Sequence, residues 1–339
     1  MKKLKYIFTR IRKMHFDKMF KRVNEVSKES HKLKIIIFFD MIYCGFKYQA
    51  GYEDYHFFKF HTLSRSERKT YITRGIVNSI ISKYNNNDYM KYFDNKALFL
   101  DTFKDYISRE YINVKELDRQ SFEDWVKKHG RVIYKPLEQS GGYGIEFLCS
   151  EEITNYDESY NRLIVDKSAL LEEVIIQHPQ ISALYDGSIN TMRIVTLLDD
   201  EGKTHIIYAC LRIGAEGESV DNLSRGGMTS RINIDKGELM YDAENVEHEK
   251  YTHHPVSKIK FIGYKIPMWK ECMNLVKESS KLVPQLRYVG WDLAITKDKP
   301  ILVEGNTIPG HGMMQMPSMI ENKTGMLPII EEITHTKFY

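Results

Sequence analysis

Residues 290–310, GWDLAITKDKPILVEGNTIPG, constrain what this chain can fold into more than any other stretch. Residues 291–296 and 300–303 have the composition of strands, and Lys297, Asp298 and Lys299 form a polar turn between them, so the pair predicts a hairpin. The hairpin carries polar groups that a buried strand disfavours: Asp292 on the first arm, Glu304 and Asn306 at the end of the second. Glu304 and Asn306 are two apart and therefore share one side of an extended chain. A register that sets Asp292 across from them gathers two carboxylates and an amide oxygen at one place. Such a hard-oxygen set suits Mg²⁺, with coordination left over for phosphates and water. A polar strand end with an acidic turn is the competing reading.

The 339 residues have room for two or three domains with sizeable cores. Hydrophobic residues at 42% and charged residues at 28% describe an ordinary soluble globular chain. Cys44, Cys149, Cys210 and Cys272 are scattered without metal spacing, which fits a reducing compartment better than a disulfide framework. No secretory signal opens the chain, and the apolar run 35–39 is broken by Asp40 long before it could span a bilayer. A cytoplasmic protein is expected.

The net charge of +3 is unevenly spread. Residues 1–34 hold 12 Lys/Arg against 3 Asp/Glu, a balance of +9, leaving −6 for the remainder. Leu4, Ile7, Phe8, Ile11 and His15 recur near helical spacing among these cations. Two readings stand: a basic amphipathic helix on an anionic inner membrane face, or a solvated helix packed on its own domain. No nucleic-acid partner is expected, because no interleaved aromatic pattern accompanies the charge.

In chain order, residues 35–95 read as largely helical, with Ser64 or Ser66 as a cap and Ile72, Ile76, Ile80 and Ile81 as an apolar face. The run Asn85, Asn86, Asn87, Asp88 marks a boundary. Lys96 opens a helical segment, and residues 122–128 form another short helix. Strands at 131–134 and 145–148 enclose KPLEQSGGYG (135–144), a glycine-rich hairpin loop entered by a lysine. Glycines there let backbone N–H groups approach an anion. The loop lacks the GK[ST] ending of a P-loop, so a nucleotide lid and a plain glycine turn remain the alternatives. Residues 170–176, LLEEVII, predict a strand with adjacent carboxylates, which call for a cationic partner or an edge position. Residues 191–198 and 205–213 predict strands carrying Arg193 and Arg212, and 214–230 a long polar loop containing DNLSRGG (221–227). Residues 268–282 form an amphipathic helix, and HGMMQMP (311–317) leads into a helical tail.

The order of these features resembles the ATP-grasp superfamily. From about residue 53 onward the chain is most similar to its sugar-transfer-associated branch, found with surface-polysaccharide (capsule) biosynthesis. The phrases EDYHFFKFHTLSRSERKTYI, SINTMRIVTLL and GWDLAI…VEGNTIPG carry the likeness. The resemblance implies an α+β ATP-grasp fold, two α+β subdomains clamping ATP, preceded by a largely helical N-terminal region. Its divisions would be a basic segment 1–34, a helical region 35–95, a lid part 96–171 and a C-terminal part 172–339. Lys96 and Lys135 match the lysines on the nucleotide phosphates, and Gln139, Ser140, Gly141, Gly142 and Gly144 match the closing loop. Glu172, Glu173, Val174 and Ile175 match the hinge that holds adenine. Asp292, Glu304 and Asn306 match the ligands of magnesium, expected as two ions. DNLSRGG is similar to the substrate loop of glutamate-adding ligases, which makes Arg212, Asn222 and Arg225 acyl-phosphate candidates, with Arg193 facing the same cavity. The ribose carboxylate usual downstream of the hinge is replaced by QHPQ (177–180), leaving Gln177 or Gln180 as substitutes.

The activity that this resemblance implies is that of an ATP-dependent carboxylate–amine ligase, forming an amide through an acyl phosphate from small-molecule or glycan-linked acid and amine substrates. A kinase acting on a sugar or lipid alcohol is the alternative within the fold. A non-catalytic nucleotide-binding module of a glycan assembly is the alternative outside enzymology. No Ser–His–Asp or Cys–His nucleophile stands out; His311 reads as a structural histidine or as the base for the amine.

Overall fold

The computed structural model describes residues 15–137, 144–164, 169–217 and 221–339. Contacts divide the chain into two compact units, one built from the residues up to Lys83 together with Gly310–Tyr339, the other from Tyr84–Pro309.

The first unit is helical. Helix α1 (Phe16–Ser30) turns Met19, Val23 and Val26 inward, and α2 (Lys34–Tyr48) turns in Ile37, Met41, Cys44 and Tyr48, each at helical spacing. They close over an aromatic core of Tyr55, Phe58, Phe60 and Tyr71. Ser64 caps the short helix Arg65–Arg68 in a capping box with Glu67. Arg68 then forks onto both oxygens of Asp40 at 2.7 and 2.8 Å. Ile76 and Ile80 are buried on α3 (Arg74–Tyr84). His311 belongs to this packing: its Nε2 lies 2.8 Å from Asp54 Oδ1, while Asp54 Oδ2 accepts the Gly51 and Arg74 amides at 2.9 Å each. The amphipathic pattern expected around residues 4–15 lies, but for His15, outside the described residues.

The second unit contains two antiparallel sheets. In the smaller one, β1 (Tyr111–Asn113), β2 (Arg131–Pro136), β3 (Glu146–Cys149) and β4 (Ala169–Glu173) lie in the order β1-β4-β2-β3. After α4 (Lys96–Thr102) come α5 (Arg119–His129) and α6 (Tyr156–Ile164); Phe122, Val126 and Leu163 pack on Val132, Tyr134, Leu148 and Leu171 of this sheet. Two expectations change here. The strand predicted over 170–176 ends at Glu173, because the chain then leaves the sheet and pairs next through Gln177 with Thr296. An edge position does not explain Glu172 and Glu173, since β4 lies between β1 and β2. Ionic partners explain them instead.

The larger sheet runs β10-β9-β7-β6-β5-β11-β12, with β8 on β7. Its members are β5 (Met192–Leu198), β6 (Thr204–Ile213), β7 (Met228–Asn233), β8 (Glu238–Leu239), β9 (Ala243–Glu244), β10 (Lys250–Tyr251), β11 (Tyr288–Ile295) and β12 (Pro300–Asn306). Helix α7 (Trp269–Ser279) places Cys272 and Val276 in the same core as Val289, Trp291, Leu293 and Ile295, the alternate residues of β11. The predicted hairpin is β11–β12, longer on both arms. It contains a bulge: Asp292 pairs with Glu304 but Leu293 with Leu302, so Val303 is the extra residue. Beyond the bulge Gly305 sits opposite Trp291, under Phe93 and Phe99. A Cβ on Gly305 would come within 2.3 Å of the Phe93 ring, so only glycine fits between Glu304 and Asn306.

Candidate active site

On the face of the larger sheet opposite that aromatic layer, Glu304, Asp292, Arg193 and Cys210 are successive register partners across β12, β11, β5 and β6. Arg212 stands two residues beyond Cys210 and so shares its face. The wholly buried Asp292 accepts from Arg193 on both oxygens, with Nη2 2.9 Å from Oδ2, and from Arg212 Nη2 at 2.9 Å. Burial alone would raise the Asp292 pKa, but Arg193 and Arg212 outweigh it and hold the carboxylate well below its ordinary range.

Arg212 is itself aimed. Its Nε and Nη2 donate to Thr191 Oγ1 at 2.9 and 2.6 Å, and Thr191 donates through N and Oγ1 to Asp221 Oδ2 at 2.7 and 2.5 Å. Asp221 opens the DNLSRGG loop. Just beyond it, the Asn222 carbonyl accepts the Arg225 and Gly227 amides at 2.9 and 3.1 Å. Asn222 and Arg225 therefore ride on a tight turn anchored through Asp221 to Thr191, the residue that Arg212 also engages.

A second charged cluster occupies the smaller sheet. Glu172 Oε2 accepts from Arg109 Nε at 2.7 Å and from Lys135 Nζ at 2.8 Å. Burial would raise the Glu172 pKa, yet Lys135 and Arg109 bring it down to about 2. Arg109 also donates to the Leu302 and Val303 carbonyls, at 2.7 and 3.1 Å. These carbonyls lie at the bulge of β12, the last strand of the larger sheet, so one guanidinium ties that edge to β4. Lys96, at the start of α4, bonds the Pro136 carbonyl. Burial lowers its pKa; Glu304 and Glu172 oppose that shift and Lys135 adds to it.

Glu173 is half-buried, and its Oε2 accepts the Glu110 amide at 3.1 Å. Ile175 is buried against Ala294 and Ile301, and Val174 is half-buried beside it. Gly144 is an exposed turn residue with φ +70°. Gln139, Ser140, Gly141 and Gly142 lie outside the described residues. The Gln177 side chain is consumed locally: its amide nitrogen donates to the Tyr185 and Ser188 carbonyls at 3.1 and 3.0 Å, and its oxygen accepts from Asn190. Gln180 donates to the Lys265 carbonyl at 2.7 Å.

The donor set at the hairpin is suited to a hard cation. Glu304 reaches solvent, but desolvation by the surrounding protein and then the adjoining Asp292 push its pKa up. Two acids crowded in this way repel each other unless a proton or a cation intervenes. Asn306 donates to Glu304 Oε1 at 3.3 Å, and its own carbonyl oxygen accepts nothing from the described residues. Asp292 offers least, its oxygens being already engaged by arginines. Among the described residues no group of three or more His, Cys, Asp or Glu side chains stands where it could hold a metal ion.

Sequence reasoning missed Arg109, Thr191 and Asp221 as charged or polar partners. The one signal for Arg109 was the pair of carboxylates on an apolar strand, which needed a cation; it comes from 63 positions away.

No curated protein matches the chain. Among solved structures it is similar to the ATP-grasp ligase PsnB in complex with a minimal precursor, at 14% identity over 74% of this chain and 63% of that one, TM-score 0.45. A biotin carboxylase domain from Hydrogenobacter thermophilus matches at 15% identity over 67% and 44%, TM-score 0.42. The D-alanyl-alanine synthetase A of Vibrio cholerae matches at 12% over 73% and 61%, TM-score 0.39. The chain thus spans less than two thirds of the length of each, and likenesses this distant carry no residue-level argument. The family model for sugar-transfer-associated ATP-grasp proteins matches residues 77–335, most of the chain. The chain belongs to the sugar-transfer-associated ATP-grasp family.

Proposed function

We propose that the protein is an ATP-dependent carboxylate–amine ligase that forms an amide through an acyl phosphate on a surface polysaccharide or its precursor. The observation that carries this reading is the convergence of Arg193 and Arg212 on Asp292, directly opposite Glu304. Such an arrangement supplies fixed positive charge and oxygen donors rather than a nucleophile. Phosphoryl transfer asks for that, because it depends on positioning and charge neutralisation and little on covalent chemistry from side chains.

In this reading a substrate carboxylate oxygen attacks the γ-phosphorus of ATP, the bond to the β,γ-bridging oxygen breaks, and ADP leaves with the electron pair. The amine then attacks the acyl carbon, the C–O bond to phosphate breaks, and the amine proton departs with phosphate or to solvent. Lys96 and Lys135 bind the nucleotide phosphates, and residues 139–144 close over them. Glu173, Val174 and Ile175 line the adenine position; Val174 and Ile175 make no backbone hydrogen bond to another described residue, so their polar groups are free for a base. Glu172 orients Lys135. Magnesium held by Asp292, Glu304 and Asn306 would offset phosphate charge. Arg212, with Asn222, Arg225 and Arg193, stabilises the acyl phosphate. The basic segment 1–34 brings the enzyme to the inner face of the membrane.

The test is hydroxylamine trapping with Mg-ATP and pooled carboxylic acids. Hydroxamate formed together with ADP, from one acid pool and not the others, is the expected result. ADP released without hydroxamate and stimulated by a sugar alcohol would replace the ligase with a kinase. ATP binding with neither product would favour a non-catalytic module.

A further inference from the structure

Helix α2 is apolar on two opposite sides. At 100° per residue, Ile37, Met41, Cys44 and Tyr48 fall on the side that faces the core of its unit. Ile35, Ile36, Phe39, Tyr43 and Phe46 fall within an arc of roughly 100° on the other side. There Ile35 is 57% exposed, Ile36 53%, Phe39 62% and Phe46 55%. Phe20 of α1 extends the surface, half exposed and stacked on Phe38 with ring centroids 5.7 Å apart. A helix on a water-facing surface puts polar residues on that side. Single exposed apolar side chains are ordinary, but a continuous aromatic and aliphatic stripe is the mark of an interaction surface.

The charges of α1, α2 and the preceding sequence select the partner of the stripe. Of the four acids on α1 and α2, Glu25 pairs with Arg22, Glu29 with Lys59 and Asp40 with Arg68, leaving Asp17 alone. Lys18, Lys28, Lys34 and Lys47 form no ion pair with the described residues. The sequence of residues 1–14 adds six Lys/Arg and no Asp/Glu. An apolar stripe on a helix pair whose unpaired charges are mostly cationic is complementary to an anionic lipid surface, where acyl chains take the side chains and headgroups the charge. A second copy of the chain would instead bring like charges together. The 15-residue helix is too short to cross a bilayer, and no helix among the described residues is long and apolar enough to do so.

We infer that the outer face of α2, through Ile35, Ile36, Phe39 and Phe46, inserts into the interfacial region of an anionic bilayer. This rests on the peripheral reading of residues 1–34 and assigns the apolar contact to a different element.

The test is co-sedimentation of the full chain with vesicles of equal parts phosphatidylglycerol and phosphatidylcholine, against phosphatidylcholine alone. Binding to the anionic vesicles only is expected, reduced about tenfold by the double substitution Ile36→Glu, Phe39→Glu. These side chains are exposed, so the thermal midpoint should stay unchanged. A parallel variant replaces Lys2, Lys3, Lys5, Arg10, Arg12 and Lys13 by Gln. Loss of binding in that variant but not in the glutamate variant would overturn insertion of α2 while leaving the basic segment as the contact. No binding to any vesicle would overturn both readings. Self-association that Ile36→Glu, Phe39→Glu abolishes, without vesicle binding, would assign the face to a second copy. Phe39→Trp gives an independent readout: a blue-shifted emission on the anionic vesicles supports burial in lipid, and an unshifted one overturns it.

Discussion

Glu172 and Asp292 are both buried carboxylates on strands, each held between two cations, yet the two clusters are built for different ends. At Glu172 both cations meet one oxygen, and Arg109 spends its remaining nitrogens on the carbonyls of Leu302 and Val303. The cluster is thus closed: it ties β4 to the bulged edge of β12 and orients Lys135. At Asp292 the arginines take both oxygens, and a second acid, Glu304, stands beside it with its pKa pushed up. That cluster is open, with oxygen donors left for a ligand. A carboxylate between two cations is thus a latch in one place and, with a second acid beside it, an open cluster in the other. The difference lies in whether the surrounding backbone consumes the spare hydrogen-bonding capacity.

The largest effect that would test this contrast is expected at Glu304. Glu304→Ala should lower turnover by about 10³-fold or more, corresponding to roughly 4 kcal/mol of lost transition-state stabilisation. Its thermal midpoint should hold or rise, because the substitution relieves the repulsion with Asp292. Steady-state ADP release and a melting curve on the same sample check both parts; near-normal turnover would sink the metal assignment.

Arg109→Ala should do the reverse, costing about 3–5 kcal/mol of unfolding free energy because it leaves Glu172 and two backbone carbonyls short of a partner. Arg109→Lys should recover only part, since an ammonium cannot fork to Glu172, Leu302 and Val303 together. Denaturant unfolding measures the loss. A stability loss no larger than that of Glu304→Ala would erase the distinction between the closed and the open cluster.

The smallest expected effect is the acid response. Glu172 falls from an ordinary 4.5 to about 2 on folding, so its contribution is fully present above 4.5 and is lost as pH falls through 2. That amounts to on the order of 3 kcal/mol. Asp292, also depressed, acts in the same direction. Glu304 has the opposite sign: its raised pKa means that the fold favours the protonated acid and gains as pH falls. Glu304→Gln should therefore leave the steep acid loss between pH 4.5 and 2 in place and remove only the gentler change above it. Stability followed from pH 7 downward in both proteins decides this.

Much of this was readable from local pattern. The strand-like runs 291–296 and 300–303 around the polar turn predicted the hairpin, and the two-residue spacing of Glu304 and Asn306 predicted a shared side; both are observed, with Asp292 opposite Glu304. Ser64 or Ser66 was readable as a cap; the structure shows Ser64, in a capping box with Glu67 three residues on. The strand at 170–176 was overextended, since Val174, Ile175 and Ile176 are as apolar as the strand before them. Only the geometry of leaving one sheet for the next ends it at Glu173.

Sequence alone, then, determined the elements and the residue types that they carry, because strand alternation and helix capping act over two to four positions. It also determined the cationic imbalance of residues 1–34, which is a matter of counting. Tertiary structure decided which charges meet: Arg109 with Glu172 across 63 positions, Arg193 with Asp292 across 99, and Arg109 with Leu302 across 193. It also decided that α2 leaves an apolar side uncovered, which a helix apolar on two opposite sides does not reveal by itself. The reason is physical. A buried charge is tolerated only with its partner in place, and burial is a property of the packed chain that no local spacing encodes.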